Sequence, residues 1–117
     1  TLLNRKGRKM ILAKFAEGIS NKDMGLLESL LHDEFLFVEE TTLETKEEWL
    51  RETRKMLDNG RIDASKHDIT AKFETKDMGA IELIREEDGT WVRVLNVVLY
   101  KNNKIYRHMI NKVDIEH

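Results

Sequence analysis

The sequence predicts an α+β protein in which three N-terminal helices precede an antiparallel sheet. In the first half, apolar residues recur at helical spacing, whereas after Gly60 they alternate with polar residues at the two-residue period of a strand. The chain has 117 residues, of which 40% are hydrophobic and 36% charged. This is the size and composition of one globular domain, so we expect a single domain spanning residues 1–117.

The three helices are predicted from their apolar stripes and end signals. The first carries five apolar residues on one face: Ile11, Leu12, Phe15, Ala16 and Ile19. Ser20 and Asn21 offer an N-cap for a short second helix, whose buried side carries Met24, Leu27, Leu30 and Leu31. The third helix begins with a capping box, in which Thr45 covers a free N–H and Glu48 reaches back, and it ends at Asn59-Gly60.

The strands follow from apolar runs and turn residues. Residues 35–38 read as a buried strand between the second and third helices. Ile69, Ala71 and Phe73 alternate with polar neighbours, and further strands are predicted over residues 78–86, 91–100 and 105–113. Asp88-Gly89 makes a tight hairpin turn, since both central positions need positive φ, and Asn102-Asn103 makes another. We therefore predict an antiparallel meander.

The strand over residues 91–100 predicts how the protein assembles. Residues 94–100 are apolar on both faces apart from Asn96, whereas a solvated antiparallel strand alternates apolar and polar side chains. Three helices can cover one face of the sheet only. The other face, with Leu95, Val97 and Leu99, needs a second cover, and another copy of the same sheet is the simplest one. We therefore predict a homodimer through this face.

Composition excludes several classes of function. The net charge of −2 produces no global attraction for nucleic acid or anionic lipid. The basic cluster in residues 5–9 is interrupted by Gly7 and is read as the start of a solvated helix, so we expect no nucleic-acid partner. The longest apolar run, residues 94–100, is far too short to span a membrane.

Metal and thiol chemistry are not expected either. The chain has no cysteine, and its four histidines lack metal-ligand spacing. No glycine-rich phosphate loop is present, so we predict neither a metal nor another cofactor. The first residues are polar and basic and form no signal-peptide pattern, so we expect a cytoplasmic location.

The order of two helices, a strand, a third helix and a long meander resembles the nuclear transport factor 2-like superfamily, which includes SnoaL-like polyketide cyclases and ketosteroid isomerases. Residues 21–35 resemble the family's passage from helix to first strand, and residues 102–105 resemble its last hairpin. The resemblance implies a cone-shaped α+β barrel, a cavity inside the cone and dimers through the sheet. The fold hosts enzymes as well as inactive adaptors, so function must be argued from the pocket.

Glu39 is the first candidate for a catalytic residue. By the two-residue period it shares a strand face with Phe35 and Phe37, whose rings must face the core. The resemblance places Glu39 where ketosteroid isomerases carry their carboxylate base, so it could act as a general base. The alternative is that Glu39 lies beyond the apolar section and is simply hydrated.

Asn96 and Phe15 correspond to the oxyanion-binding positions of the isomerases. Asn96 stands where they have an aspartic acid, and its amide could donate to a developing negative charge or else satisfy nearby backbone. Phe15 stands where they have a tyrosine, and the hydroxyl is missing. The resemblance therefore makes steroid isomerisation an unexpected activity, and Phe15 is read as an apolar wall of the pocket or core.

The orientation of His108 depends on the last hairpin. A two-residue turn would place Asn96 opposite Met109 and turn His108 away from the pocket. A three-residue loop over residues 101–103 would place Asn96 opposite His108. The resemblance favours the longer loop, so we predict that Tyr106, His108 and Ile110 face the pocket. His108 could then form an acid–base pair with a glutamate, or it could be a structural histidine.

Trp49 and Met56 on the third helix could line the mouth of the cavity, although such a stripe also fits a core. The leading hypothesis is a protein that binds a small, largely apolar molecule in the cone. The second is an isomerase-, cyclase- or dehydratase-type enzyme with Glu39 as general base and with Asn96 and His108 stabilising the product charge. The third is a non-catalytic dimerisation module with a filled cavity.

Overall fold

The computed structural model describes residues 10–62 and 68–116, which form three helices and six strands. The helices are α1 (Ile11–Ser20), α2 (Met24–Leu30) and α3 (Lys46–Asp58). The strands are β1 (Leu31–Glu39), β2 (Thr42–Thr45), β3 (Asp68–Glu74), β4 (Met78–Glu87), β5 (Thr90–Lys101) and β6 (Lys104–Asp114). The α+β class is confirmed. The basic cluster in residues 5–9 lies outside the described residues.

The six strands form one mixed sheet in the order β2-β1-β6-β5-β4-β3. The predicted meander from β3 to β6 is confirmed, but β1 pairs with β6 in parallel, so the sheet is not wholly antiparallel. The strand β2 was not predicted, because it is short and its one large apolar side chain, Leu43, is 63% exposed. With β2 and β3 at opposite edges, the sheet is not closed into a barrel.

The N-terminal cap predicted from the sequence is correct for α3 but not for α2. The capping box of α3 is confirmed, since the Glu48 N–H donates to Thr45 Oγ1 at 3.3 Å and the Thr45 N–H donates to Glu48 Oε1 at 3.0 Å. The predicted cap of α2 is wrong. Asp23 accepts from the Leu26 N–H at 3.0 Å, because the chain turns at Lys22, which has a φ of 53°, before the helix begins.

The hairpin between β5 and β6 has a two-residue turn, so the predicted three-residue loop is wrong. Asn102 and Asn103 have φ values of 54° and 60°, as such a turn requires. The ladder then shifts between the pairs Leu99–Arg107 and Tyr100–Ile105, so β6 has one additional residue, Tyr106, at this point. This bulge reverses the faces of the residues beyond it. Asn96 consequently pairs with Ile110, rather than with His108 or Met109.

A second register shift changes the face of Phe73. Ala71 pairs with Ile81, whereas Phe73 pairs with Ala80, the neighbouring residue of β4. Phe73 therefore lies on the opposite face from the one that its alternation with Ala71 predicts, and it is 45% exposed. The register of a strand determines its faces only where the pairing is regular.

The two faces of the sheet differ in burial. The core between the helices and the inner face includes Leu12, Leu27, Phe35, Val98 and Ile105. On the outer face of β5, Leu95 is 40% and Leu99 is 36% exposed. The described helices therefore cover one face of the sheet, and none of them is both long and apolar enough to cross a membrane.

Candidate functional site

A cavity of about 310 Å³ lies between the helices α1 and α3 and the inner face of the sheet. Its wall is mainly apolar and includes Phe15, Phe37, Trp49, Met56, Ile81 and Ile110. The sequence-predicted residues Glu39, Asn96 and His108 line the same cavity. Five of the six predicted ligand-contacting residues and all three predicted catalytic residues are thus brought together. Phe37 and Asn96 share one hollow.

Tyr106 is the exception, and the expectation that it faces the pocket is wrong. It does not line the cavity, because the bulge in β6 turns it away. Its ring packs edge-on against His32 at 5.2 Å between centroids, and the guanidinium carbon of Arg107 lies 3.7 Å from its centroid. Tyr106 therefore belongs to a surface cluster of β1 and β6.

Three aromatic rings surround the imidazole of His108. The ring centroids of Phe37, Phe15 and Trp49 lie 5.2, 5.6 and 6.5 Å from that of His108, and each ring meets it edge-on. These three rings form what we call the aromatic cage. His108 itself is 5% exposed. Burial lowers the pKa of His108 from 6.5 to about 4, so the ring is neutral near pH 7.

His108 and Asn96 form a hydrogen-bonded pair, which we call the buried pair. His108 Nε2 lies 2.8 Å from Asn96 Oδ1, and Asn96 is 7% exposed. Asn96 Nδ2 donates to the Val94 carbonyl at 3.5 Å, at the limit for a hydrogen bond. Within the described part of the chain, His108 Nδ1 is buried and has no hydrogen-bond partner.

Glu39 belongs to an ion-pair network that also lines the cavity. Lys112 Nζ lies 3.1 Å from Glu39 Oε1 and 3.1 Å from Glu87 Oε1, and Arg85 Nη2 lies 2.7 Å from Glu87 Oε1. These four residues, Glu39, Lys112, Glu87 and Arg85, are what we call the ion-pair network. The partner of Glu39 is therefore Lys112 and the partner of His108 is Asn96, so the glutamate–histidine pair considered from the sequence is not formed.

Sequence reasoning missed Arg85, Glu87 and Lys112. A signal for the first two was available, since the two-residue period that carries Ile81 and Leu83 into the cavity continues through them. The same period also continues from His108 and Ile110 through Lys112, but it does not identify the partner of this lysine. Lys112 reaches Glu39 only because β6 pairs with the distant β1 in parallel.

Charge and burial shift two carboxyl groups of the lining in opposite directions. Burial acts to raise the pKa of Glu87, but Arg85 and Lys112 outweigh it, so its pKa lies below the ordinary value. Burial, followed by the charges of Glu52 and Glu48, raises the pKa of Glu44. Among the described residues no three histidine or acidic side chains are arranged to hold a metal ion.

Solved structures with the same architecture were found for this chain. An NTF2-like protein of unknown function from Cytophaga hutchinsonii matches with a TM-score of 0.70 and 11% identity over 97% of this chain and 93% of that chain. The chain has the fold of the nuclear transport factor 2-like superfamily. No family model matches the sequence, and no curated protein matches it.

Two further similar structures are a hypothetical protein and an epoxide hydrolase. A Catenulispora acidiphila protein with a ketosteroid isomerase-like fold, in complex with trimethylamine, has a TM-score of 0.64 and 13% identity over 86% of this chain and 83% of that one. An LEH-like epoxide hydrolase of Mycobacterium tuberculosis has a TM-score of 0.65 and 13% identity over 88% and 80%. At these identities the likeness extends to the fold alone.

Proposed function

We propose that the protein binds a small, largely apolar molecule in the cavity between α1, α3 and the sheet. The observation that carries this proposal is a cavity of about 310 Å³ with aromatic walls on which polar groups converge, the usual character of a small-molecule site. The proposal is supported by the Catenulispora protein, which has this fold and is in complex with a small molecule, trimethylamine. A cavity of this size also argues against the alternative of a purely structural module with a filled interior.

Binding of indane, a small apolar probe, tests the proposal by isothermal titration calorimetry. We expect saturable binding by the wild type and at least tenfold weaker binding by Ala16→Phe, because Ala16 lines the cavity and a phenyl ring would fill it. Lys14→Phe is the matched control, since Lys14 is exposed on the same helix. Absence of saturable binding by the wild type, or equal binding by Ala16→Phe, would contradict the proposal.

The second candidate function is proton abstraction by Glu39, as in an isomerase, cyclase or dehydratase. The observation that favours it is that Glu39, Asn96 and His108 line one cavity. Lys112 Nζ, 3.1 Å from Glu39 Oε1, holds this carboxylate at the cavity wall. In this function Glu39 would take a proton from an acidic C–H of the ligand, while Asn96 and His108 would stabilise the charge left behind.

Deuterium exchange at C2 of 1-indanone in D₂O, followed by NMR, tests the second candidate. We expect the wild type to accelerate exchange and Glu39→Gln to remove the acceleration, because the amide cannot accept the proton. Glu39→Gln should bind 1-indanone nearly as tightly as the wild type does. Equal exchange rates for the two proteins would exclude Glu39 as the base and leave the binding proposal intact.

We also propose a homodimer through the outer face of the sheet, as the sequence predicts from Leu95, Val97 and Leu99. Its support is the exposure of Leu95, Leu99 and Phe73 on that face. Sedimentation at micromolar concentration should give a dimer, and Leu95→Glu combined with Leu99→Glu should give a monomer. A monomeric wild type would contradict the proposal. The cytoplasmic location stays a prediction.

A further inference from the structure

We infer that His108 is a positioning residue that holds the Asn96 amide with an N–H available to the cavity, so that the ligand carries an acceptor oxygen, such as a carbonyl. This inference rests on the proposed function and names the chemical class of its ligand. It also gives His108 a role different from direct contact with the ligand. The N–H left for a ligand depends on which atoms of the buried pair donate and which accept.

The short contact between His108 Nε2 and Asn96 Oδ1 determines the position of the imidazole proton. A carbonyl oxygen can only accept, so at 2.8 Å the Nε2 atom must be the donor. A neutral imidazole carries one N–H, which leaves Nδ1 as an unprotonated acceptor. The aromatic cage and the burial of His108 disfavour a second proton.

The surroundings of Asn96 favour this orientation of the amide over the reverse one. In the observed orientation Nδ2 faces the Val94 carbonyl at 3.5 Å. Turning the amide over would bring Oδ1 towards that carbonyl, so two acceptors would meet. It would also require the imidazole proton on Nδ1, where the described residues offer no acceptor, and buried donors without acceptors are rarer in proteins than under-used acceptors.

The amide consequently offers one kind of group to a ligand. Its oxygen is engaged by His108, while its nitrogen has two N–H groups and makes one long hydrogen bond. Asn96 lines the cavity, so the unused N–H is available there. The rings of the cage lie against His108, and Asn96 pairs with Ile81 and Ile110 on the neighbouring strands. A carbonyl oxygen satisfies this N–H, whereas a hydrocarbon of the same shape leaves it unpaired.

The spectroscopic test uses ¹⁵N-labelled wild type and His108→Phe, whose missing signals assign His108. A long-range ¹H–¹⁵N spectrum near pH 7 should show the Nε2–H tautomer with an unprotonated Nδ1. This readout needs no ligand, and if His108→Phe does not fold, the ring of His108 is assigned in ¹³C,¹⁵N-labelled wild type through its bonds to the backbone. A proton on Nδ1, or on both nitrogens, would overturn the inference.

The binding test compares 1-indanone with indane, two probes that differ in one carbonyl group. The ratio of the two affinities should favour the ketone more in the wild type than in His108→Phe, by about fivefold to tenfold, the usual effect of one neutral hydrogen bond. Lys104→Gln, an exposed change in the last hairpin, is the control that should keep the wild-type ratio.

The outcomes separate the inference from the proposed function. A ketone preference that His108→Phe abolishes supports both. If the wild type binds the two probes with a ratio that His108→Phe does not change, the inference is wrong while the binding function stands. If neither probe binds, the proposed function fails, and the inference about its ligand fails with it.

Discussion

The buried pair and the ion-pair network hold polar groups in the same cavity by opposite means. Asn96 and His108 are 7% and 5% exposed and are joined by one neutral hydrogen bond. In the network, the side chains of Glu39 and Lys112 keep 25% and 31% of their exposure and carry full charges. Water can still solvate the charges of the network, whereas a charge inside the aromatic cage would lose its hydration without compensation. The charged side chains of the lining are therefore the more exposed ones, and the neutral pair is the buried one.

Removing Trp49 from the aromatic cage should have the largest effect on stability. Trp49 is 6% exposed, and its ring lies 5.8 Å from those of both Phe15 and Phe35. We expect Trp49→Ala to lower the free energy of unfolding by about 3–5 kcal/mol, through lost burial and the space left behind. Urea denaturation of the wild type and the variant measures this loss. Leu43→Ala, at a 63% exposed position, should cost less than about 0.5 kcal/mol, and equal losses would contradict a packed cage.

Acidification should lower the free energy of unfolding by an intermediate amount, because His108 is neutral in the folded protein. Its folded-state pKa of about 4 lies below the ordinary value of 6.5. The unfolded chain therefore takes up a proton first, and stability is lost as pH falls from 6.5 to about 4. The loss attributable to His108 is at most about 3 kcal/mol. His108→Phe should have a flatter stability profile in this window, and parallel profiles would show that His108 is not buried as a neutral ring.

Removing Lys112, the cation shared by Glu39 and Glu87, should have the smallest effect on the free energy of unfolding. Lys112→Met separates Glu39 and Glu87 from their shared ammonium, yet these side chains are partly solvated. We expect a loss of about 0.5–1 kcal/mol that shrinks in 1 M NaCl, because salt screens partly exposed charges. Lys104→Met, at the exposed first residue of β6, is the control. A loss that is independent of salt would mean that Lys112 acts through packing.

Much of the fold could be predicted because its signals are local. The capping box of α3 depends on Thr45 and Glu48, three residues apart, and the turn at Asp88-Gly89 depends on two adjacent residues with φ values of 49° and 83°. The short strand β2 and the Asp23 cap carried weaker local signals and were missed. The predicted face of Phe73 was wrong because the pairing of β3 with β4 shifts beside it.

The candidate site shows where prediction from the sequence ends. His108 and Ile110 line the cavity, although the predicted hairpin loop was wrong, because a bulge at Tyr106 compensates for the shorter turn. The two-residue period contains no mark of a bulge, since the shift depends on how β6 pairs with β5. The same period could not identify Lys112 as the partner of Glu39, because that contact joins residues 73 positions apart in the chain.

The three helices, the Asp88-Gly89 turn, the α+β class and the apolar residues that build the cavity could be read from the sequence alone. These depend on side chains within a few positions of each other, whose spacing the backbone period converts directly into structure. Only the tertiary structure decided the parallel pairing of β1 with β6, the outward position of Tyr106 and the partners of Glu39 and His108. The physical reason is that strand register is chosen by contacts between distant segments, and one additional residue in a ladder reverses every face beyond it.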